Sequence, residues 1–103
     1  MHQYTTAEPA RTDVDAITGA LLLEFGSNDC GICRGTQPLL EEALKGWESL
    51  PHIRVEDGRG RPLGRSFRVK LWPTLIFMKD GQEVTRLVRP DSVEDIRAAL
   101  AQL

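Results

Sequence analysis

The chain is poor in cysteine. It has two, Cys30 and Cys33, and a bridge between residues three apart would constrain almost none of the fold, so a disulfide scaffold is excluded. Long apolar runs are also missing. Stretches such as Ala20 to Leu23 are far too short to span a bilayer, so no membrane insertion is expected. Neither sign of charge dominates, with 13 basic against 15 acidic residues and a net charge of -2. That balance argues against nucleic-acid binding, which needs a concentrated positive surface. No internal repeat or low-complexity tract appears. Only two histidines occur, His2 and His52, without paired spacing, and four thiolates are lacking, so neither a zinc site nor an iron–sulfur cluster is expected. The opening residues, Met1 to Pro9, show no basic start followed by an apolar stretch, and a cytoplasmic location is the expectation.

What remains is an ordinary soluble composition, 41% hydrophobic and 27% charged over 103 residues. A chain of this size buries roughly two-thirds of its unfolded surface, enough for one core. We therefore expect one domain over residues 1–103, with 1–11 as a polar arm, and cysteines free for chemistry. Charge is uneven locally. Arg54, Arg59, Arg61, Arg65, Arg68 and Lys70 outweigh Glu56 and Asp57, which reads either as a solvated face or as a contact for an acidic partner.

Along the chain, Thr12 is placed to cap a short helix over 13–18 that Gly19 would stop. Leu21 to Phe25 reads as a strand buried on both faces. From Cys33, Leu40, Ala43, Leu44 and Trp47 recur at helical spacing, predicting an amphipathic helix that ends near Pro51 and carries Pro38 inside it. Residues 52–56 form the next strand, and a short helix is expected around Leu63 to Phe67. Thr74 to Met78 and Val84 to Val88 flank Asp80-Gly81 as a hairpin. Asp91 with Glu94 makes a capping box for a last helix. Alternation followed by a hairpin predicts a mixed sheet with helices on both faces.

The cysteines sit between a buried strand and the first turn of a helix. There the unpaired amides and the helix dipole favour a thiolate, the species that attacks disulfides. The wider pattern resembles the thioredoxin family over about residues 12–103. Phe25 stands five before Cys30, Pro38 five after Cys33, Leu39-Leu40-Glu41-Glu42 follows, and Trp72-Pro73-Thr74 and Phe77-Met78-Lys79-Asp80-Gly81 lie at the family's spacing. The resemblance implies a thioredoxin fold with a central mixed sheet of four to five strands. It also implies a thiol-disulfide oxidoreductase needing no cofactor beyond its own Cys30–Cys33 disulfide.

Carried over position by position, the resemblance makes Cys30 the nucleophile and Cys33 the resolving thiol. Glu24 falls where the family has a buried aspartate, making it the candidate acceptor of the Cys33 proton through water; the alternative is a strand-end carboxylate turned to solvent. Pro73 is the candidate cis-proline, its loop presenting the Trp72 backbone to an extended substrate. Gly31, Ile32, Trp72 and Arg89 complete the candidate substrate contacts, and Arg54 replaces a lysine near the carboxylate. Implied partners are a disulfide-containing protein and a reductase or low-molecular-weight thiol as electron donor, with the chain itself a monomer.

Departures cluster at the site. Gly26-Ser27-Asn28-Asp29 replaces Trp-Ala-Glu-Trp, which predicts a looser loop, and Asp29 adds a negative charge beside Cys30. Ile32 replaces a proline. Arg89, with Arg34 and part of the cluster up to Lys70, predicts a narrower clientele with acidic contact surfaces. The alternative function is a non-catalytic binding module or chaperone that uses the Trp72-Pro73 groove.

Overall fold

The computed structural model describes residues 3–103; His2 lies outside them. Four strands form one sheet in the order β2-β1-β3-β4, with β1 spanning Ala20–Gly26, β2 His52–Glu56, β3 Thr74–Lys79 and β4 Gln82–Val88. β1 runs parallel to β2 and antiparallel to β3, and β3 pairs antiparallel with β4. A parallel pair needs a crossover, which α2 (Gly31–Ala43) supplies.

Because alternate residues of a strand face opposite ways, β1 feeds two cores. Leu21, Leu23 and Phe25 join Val55, Ile76 and Met78 under α1 (Arg11–Asp15) and α3 (Pro62–Ser66), through Val14 and Leu63. Leu22 joins Leu75 and Phe77 on the other face, under α2 and α4 (Val93–Leu100), through Leu40, Ala43, Ile96 and Leu100. Each such side chain contributes roughly 1.5–3 kcal/mol of transfer free energy.

Several local expectations are corrected. Helix α1 starts at Arg11 with Ala10 as its N-cap, so Thr12 lies inside it and caps nothing. Helix α2 ends at Ala43, where Leu44 closes onto Leu40, and the chain turns at Gly46 (φ +90°) instead of continuing toward Pro51. Pro38 sits within that helix. The cap of α4 is Ser92, whose hydroxyl accepts from the Asp95 amide at 3.0 Å; Asp91 is one residue too early.

The polar arm is not an appendage. The Thr5 amide donates to the Arg54 carbonyl at 3.0 Å and the Glu56 amide to the Thr5 carbonyl at 2.9 Å, a parallel bridge along the free edge of β2. Tyr4 is buried beside it. The active-site loop is tethered to this segment rather than loose: Asn28 accepts from the Tyr4 amide at 2.9 Å and donates to its carbonyl at 3.1 Å.

Candidate active site

Register pairs Phe25 with Thr74 and Thr74 with Val88, so the end of β1, the start of β3 and the end of β4 share one end of the sheet. Cys30, Pro73 and Arg89 come just beyond those residues. This convergence joins positions 59 residues apart in the chain.

Cys30 is the N-cap of α2. Its Sγ accepts from the Cys33 amide at 3.1 Å, one of the amides a helix start leaves without a backbone partner. Cys30 is half-buried and Cys33 buried, with both thiols free. Burial first, and the neighbouring Cys30 second, push the Cys33 thiol up to about 11. Gly31 and Ile32 between them are exposed, Ile32 by 48%.

Behind the pair, Glu24 is wholly buried. A buried carboxylate needs partners on both oxygens, and Glu24 has them. Arg54 grips it with Nε on Oε1 at 3.0 Å and Nη2 on Oε2 at 3.3 Å. His52 Nε2 lies 2.8 Å from Oε1, Gln37 Nε2 donates to Oε2 at 3.0 Å, and the Tyr4 hydroxyl donates to Oε2 at 2.5 Å. Burial holds the Arg54 guanidinium below its ordinary range, and burial with the adjacent carboxylate raises the Tyr4 phenol well above its own.

The sequence singles out neither Tyr4 nor Gln37, and it weighs His52 only as a zinc ligand. Gln37 lies four residues after Cys33, on the same helical face, and His52 alternates with Arg54 on one strand face; both spacings carried a signal. Tyr4 carried none, since it stands alone in an aperiodic polar stretch. It fits only because residue 26 is glycine: a Cβ there would overlap the Tyr4 ring.

The Trp72–Pro73 bond is cis, and Pro73 is buried. Arg89 donates from Nε to the Trp72 carbonyl at 2.9 Å and from its amide to the Pro73 carbonyl at 2.9 Å. The carbonyl that the resemblance offers to a substrate is thus engaged by Arg89. The Trp72 indole donates to Asp57 at 2.9 Å and is half-buried. It borders a cavity of about 440 Å³ lined also by Arg61, Arg65, Arg68 and Lys70. Among the described residues, no cluster of three or more histidine, cysteine or acidic side chains is arranged to hold a metal ion, and no helix is long and apolar enough to cross a membrane.

A dithiol straddling a helix start, on a mixed sheet covered on both faces, defines the thioredoxin-fold class of thiol-disulfide oxidoreductases. The sequence model of the family "Thioredoxin" matches residues 2–102, and the chain belongs to that family. It is similar to thioredoxin 2 from Pseudomonas aeruginosa PAO1, solved in its reduced form, with 47% identity and a TM-score of 0.86, covering 96% of this chain and 92% of that one. It is 36% identical to a thioredoxin from Chlamydia pneumoniae over 75 residues, 69% of this chain and 70% of the relative. A thioredoxin from Mycobacterium tuberculosis is likewise 36% identical over 78 residues, 75% of this chain and 67% of the relative.

Proposed function

We propose that this thiol-disulfide oxidoreductase reduces disulfides in a restricted set of client proteins bearing acidic residues near the scissile bond. The Cys30 thiolate attacks one sulfur of the client disulfide, breaking that S–S bond and releasing the other sulfur as a thiolate, and a mixed disulfide forms. Cys33, as thiolate, then attacks Cys30 Sγ and expels the client's second sulfur as a thiolate, leaving the Cys30–Cys33 disulfide. Glu24 accepts the Cys33 proton, and Gly31, Ile32, Pro73 and Trp72 border the client. The chain acts as one monomeric domain in the cytoplasm, without a further cofactor, and is returned to the dithiol by a reductase or a low-molecular-weight thiol.

The observation that carries this reading is the asymmetry of the pair: Cys30 is partly exposed at a helix N-cap and Cys33 is buried beneath it. Support for acidic clients is the cavity beside Trp72, whose rim carries four cationic side chains against Asp57. Support for restriction is Arg89, which a client segment must displace from the Trp72 carbonyl or accommodate.

The test is catalysed reduction of insulin by dithiothreitol, with Cys30→Ser as control. Acceleration by the wild type alone is expected; equal rates for both proteins would leave the groove as a binding module. Restriction is tested with Arg89→Gly on matched acidic and neutral disulfide peptides. The variant should lose the preference for the acidic peptide, and an unchanged ratio would remove acidic selection from the proposal.

A further inference from the structure

Tyr4 belongs to a segment outside the sheet, yet its hydroxyl ends up in the polar cluster around the buried Glu24. Three observations converge there. The hydroxyl donates to Glu24 Oε2 at 2.5 Å, and Tyr4 and Cys33 line one small cavity, where Gln37 Nε2 reaches both the Tyr4 hydroxyl at 3.5 Å and the Cys33 carbonyl at 3.1 Å. Gly26 leaves the space for its ring, and the Arg54 guanidinium stacks on that ring at 4.8 Å from its centre. Two hydrogen bonds to Asn28 and the bridge to β2 then fix the backbone on either side.

We propose that the Tyr4 hydroxyl relays the Cys33 proton to Glu24 during resolution of the mixed disulfide. The inference rests on the role of Cys33 as resolving thiol and adds the group that connects it to the carboxylate. In the step, the Cys33 S–H bond breaks and its proton joins the Tyr4 oxygen, while the phenolic proton passes to Glu24 Oε2. The sulfur keeps the electron pair and forms the bond to Cys30 Sγ, and the client sulfur leaves with the pair of the broken S–S bond. Tyrosine is neutral before and after.

The charged surroundings suit this exchange. Around the relay stand Glu24 from β1, Cys30, Cys33 and Gln37 from the start and body of α2, and His52 and Arg54 from β2. Moving one proton from Cys33 to Glu24 shifts the negative charge from carboxylate to sulfur within the same cluster; the client thiolate then carries that charge away, and Glu24 serves again as counter-charge to Arg54 once it passes the proton to solvent. A relay is needed because burial opposes ionisation of Cys33 near neutral pH. Tyrosine can serve because a hydroxyl both donates and accepts.

The experiment follows both thiolate releases when the reduced protein reacts with an aromatic disulfide such as dithiobis(nitrobenzoate), from pH 6.5 to 9. The second release reports attack by Cys33. In the wild type its rate should vary little with pH. In Tyr4→Phe it should fall by about 100-fold near pH 7 and climb about tenfold per pH unit, because the proton must then leave without general-base help. A merely structural role would lower the rate by the same factor at every pH, and such parallel profiles would overturn the relay. If Tyr4→Phe does not fold, the wild type still decides: transfer of two protons predicts a curved dependence on the deuterium fraction of the solvent, and a straight line overturns it. Absence of any second release in the wild type would instead refute the role of Cys33.

Discussion

Glu24 and Phe25 are neighbours on β1, both wholly buried, and they face opposite sides of the same sheet. Phe25 packs in an apolar cluster that includes Phe67, with ring centres 5.9 Å apart. Glu24 meets a phenol, an amide, an imidazole and a guanidinium. Equal burial therefore rests on different physics. The apolar side is held by area and fit, and tolerates any residue of the right volume; the polar side is held by a closed set of partners, and tolerates the loss of none.

The sharpest way to break that contrast is to truncate each residue. Phe25→Ala should cost about 3–5 kcal/mol through lost transfer energy and a cavity. Glu24→Ala should cost about 3–5 kcal/mol for another reason, since Arg54 stays buried without its counter-charge. Urea denaturation at pH 7 measures both. The two losses separate in an Arg54→Met background, where removing Glu24 should cost clearly less than in the wild type while Phe25→Ala keeps its full cost.

Two glycines extend the comparison at smaller scale. Gly26→Ala drives a methyl into the Tyr4 ring and should cost about 1–3 kcal/mol, with earlier proteolysis of the N-terminal segment. Gly35→Ala lies on the exposed side of α2 with nothing within 4 Å, and should stabilise by about 0.5–1 kcal/mol. A similar cost at both positions would break the distinction.

Alkaline pH acts on the polar side alone. The folded protein holds the Cys33 proton up to about 11, against an ordinary value of 9.0. Between those limits the unfolded chain releases a proton that the folded chain keeps, so this contribution is complete below pH 9 and is lost as pH rises toward 11. The reduced protein should lose stability over that window, and a Cys33→Ala variant less steeply, as thermal melts across the range would record. The smallest effect is expected at the exposed Arg11–Asp15 pair, where Asp15→Asn should change stability by less than about 0.5 kcal/mol.

Much of the site was legible where local chemistry restricts the options. Asp80-Gly81 marks a hairpin because both positions take positive φ, and they do so here. The caps were legible only in kind. Asp91 and Ser92 carry equally suitable side chains one residue apart, and which of them caps α4 follows from how that helix docks on the sheet rather than from the capping pattern itself. Helix α2 was read too long because Leu44 and Trp47 are apolar at helical spacing and pack on the same core from a turn.

The sequence by itself determined the dithiol, its place between strand and helix, and the mixed sheet, because spacing, periodicity and backbone chemistry act directly there. A carboxyl group behind the cysteines was implied by the family resemblance alone. Only the tertiary structure decided what surrounds that carboxyl group. Tyr4 and Glu24 are 20 residues apart, Glu24 and Arg54 30, and their meeting depends on strand register and on the arm lying along the β2 edge. Such contacts arise from packing and exclusion of water, which no local pattern encodes.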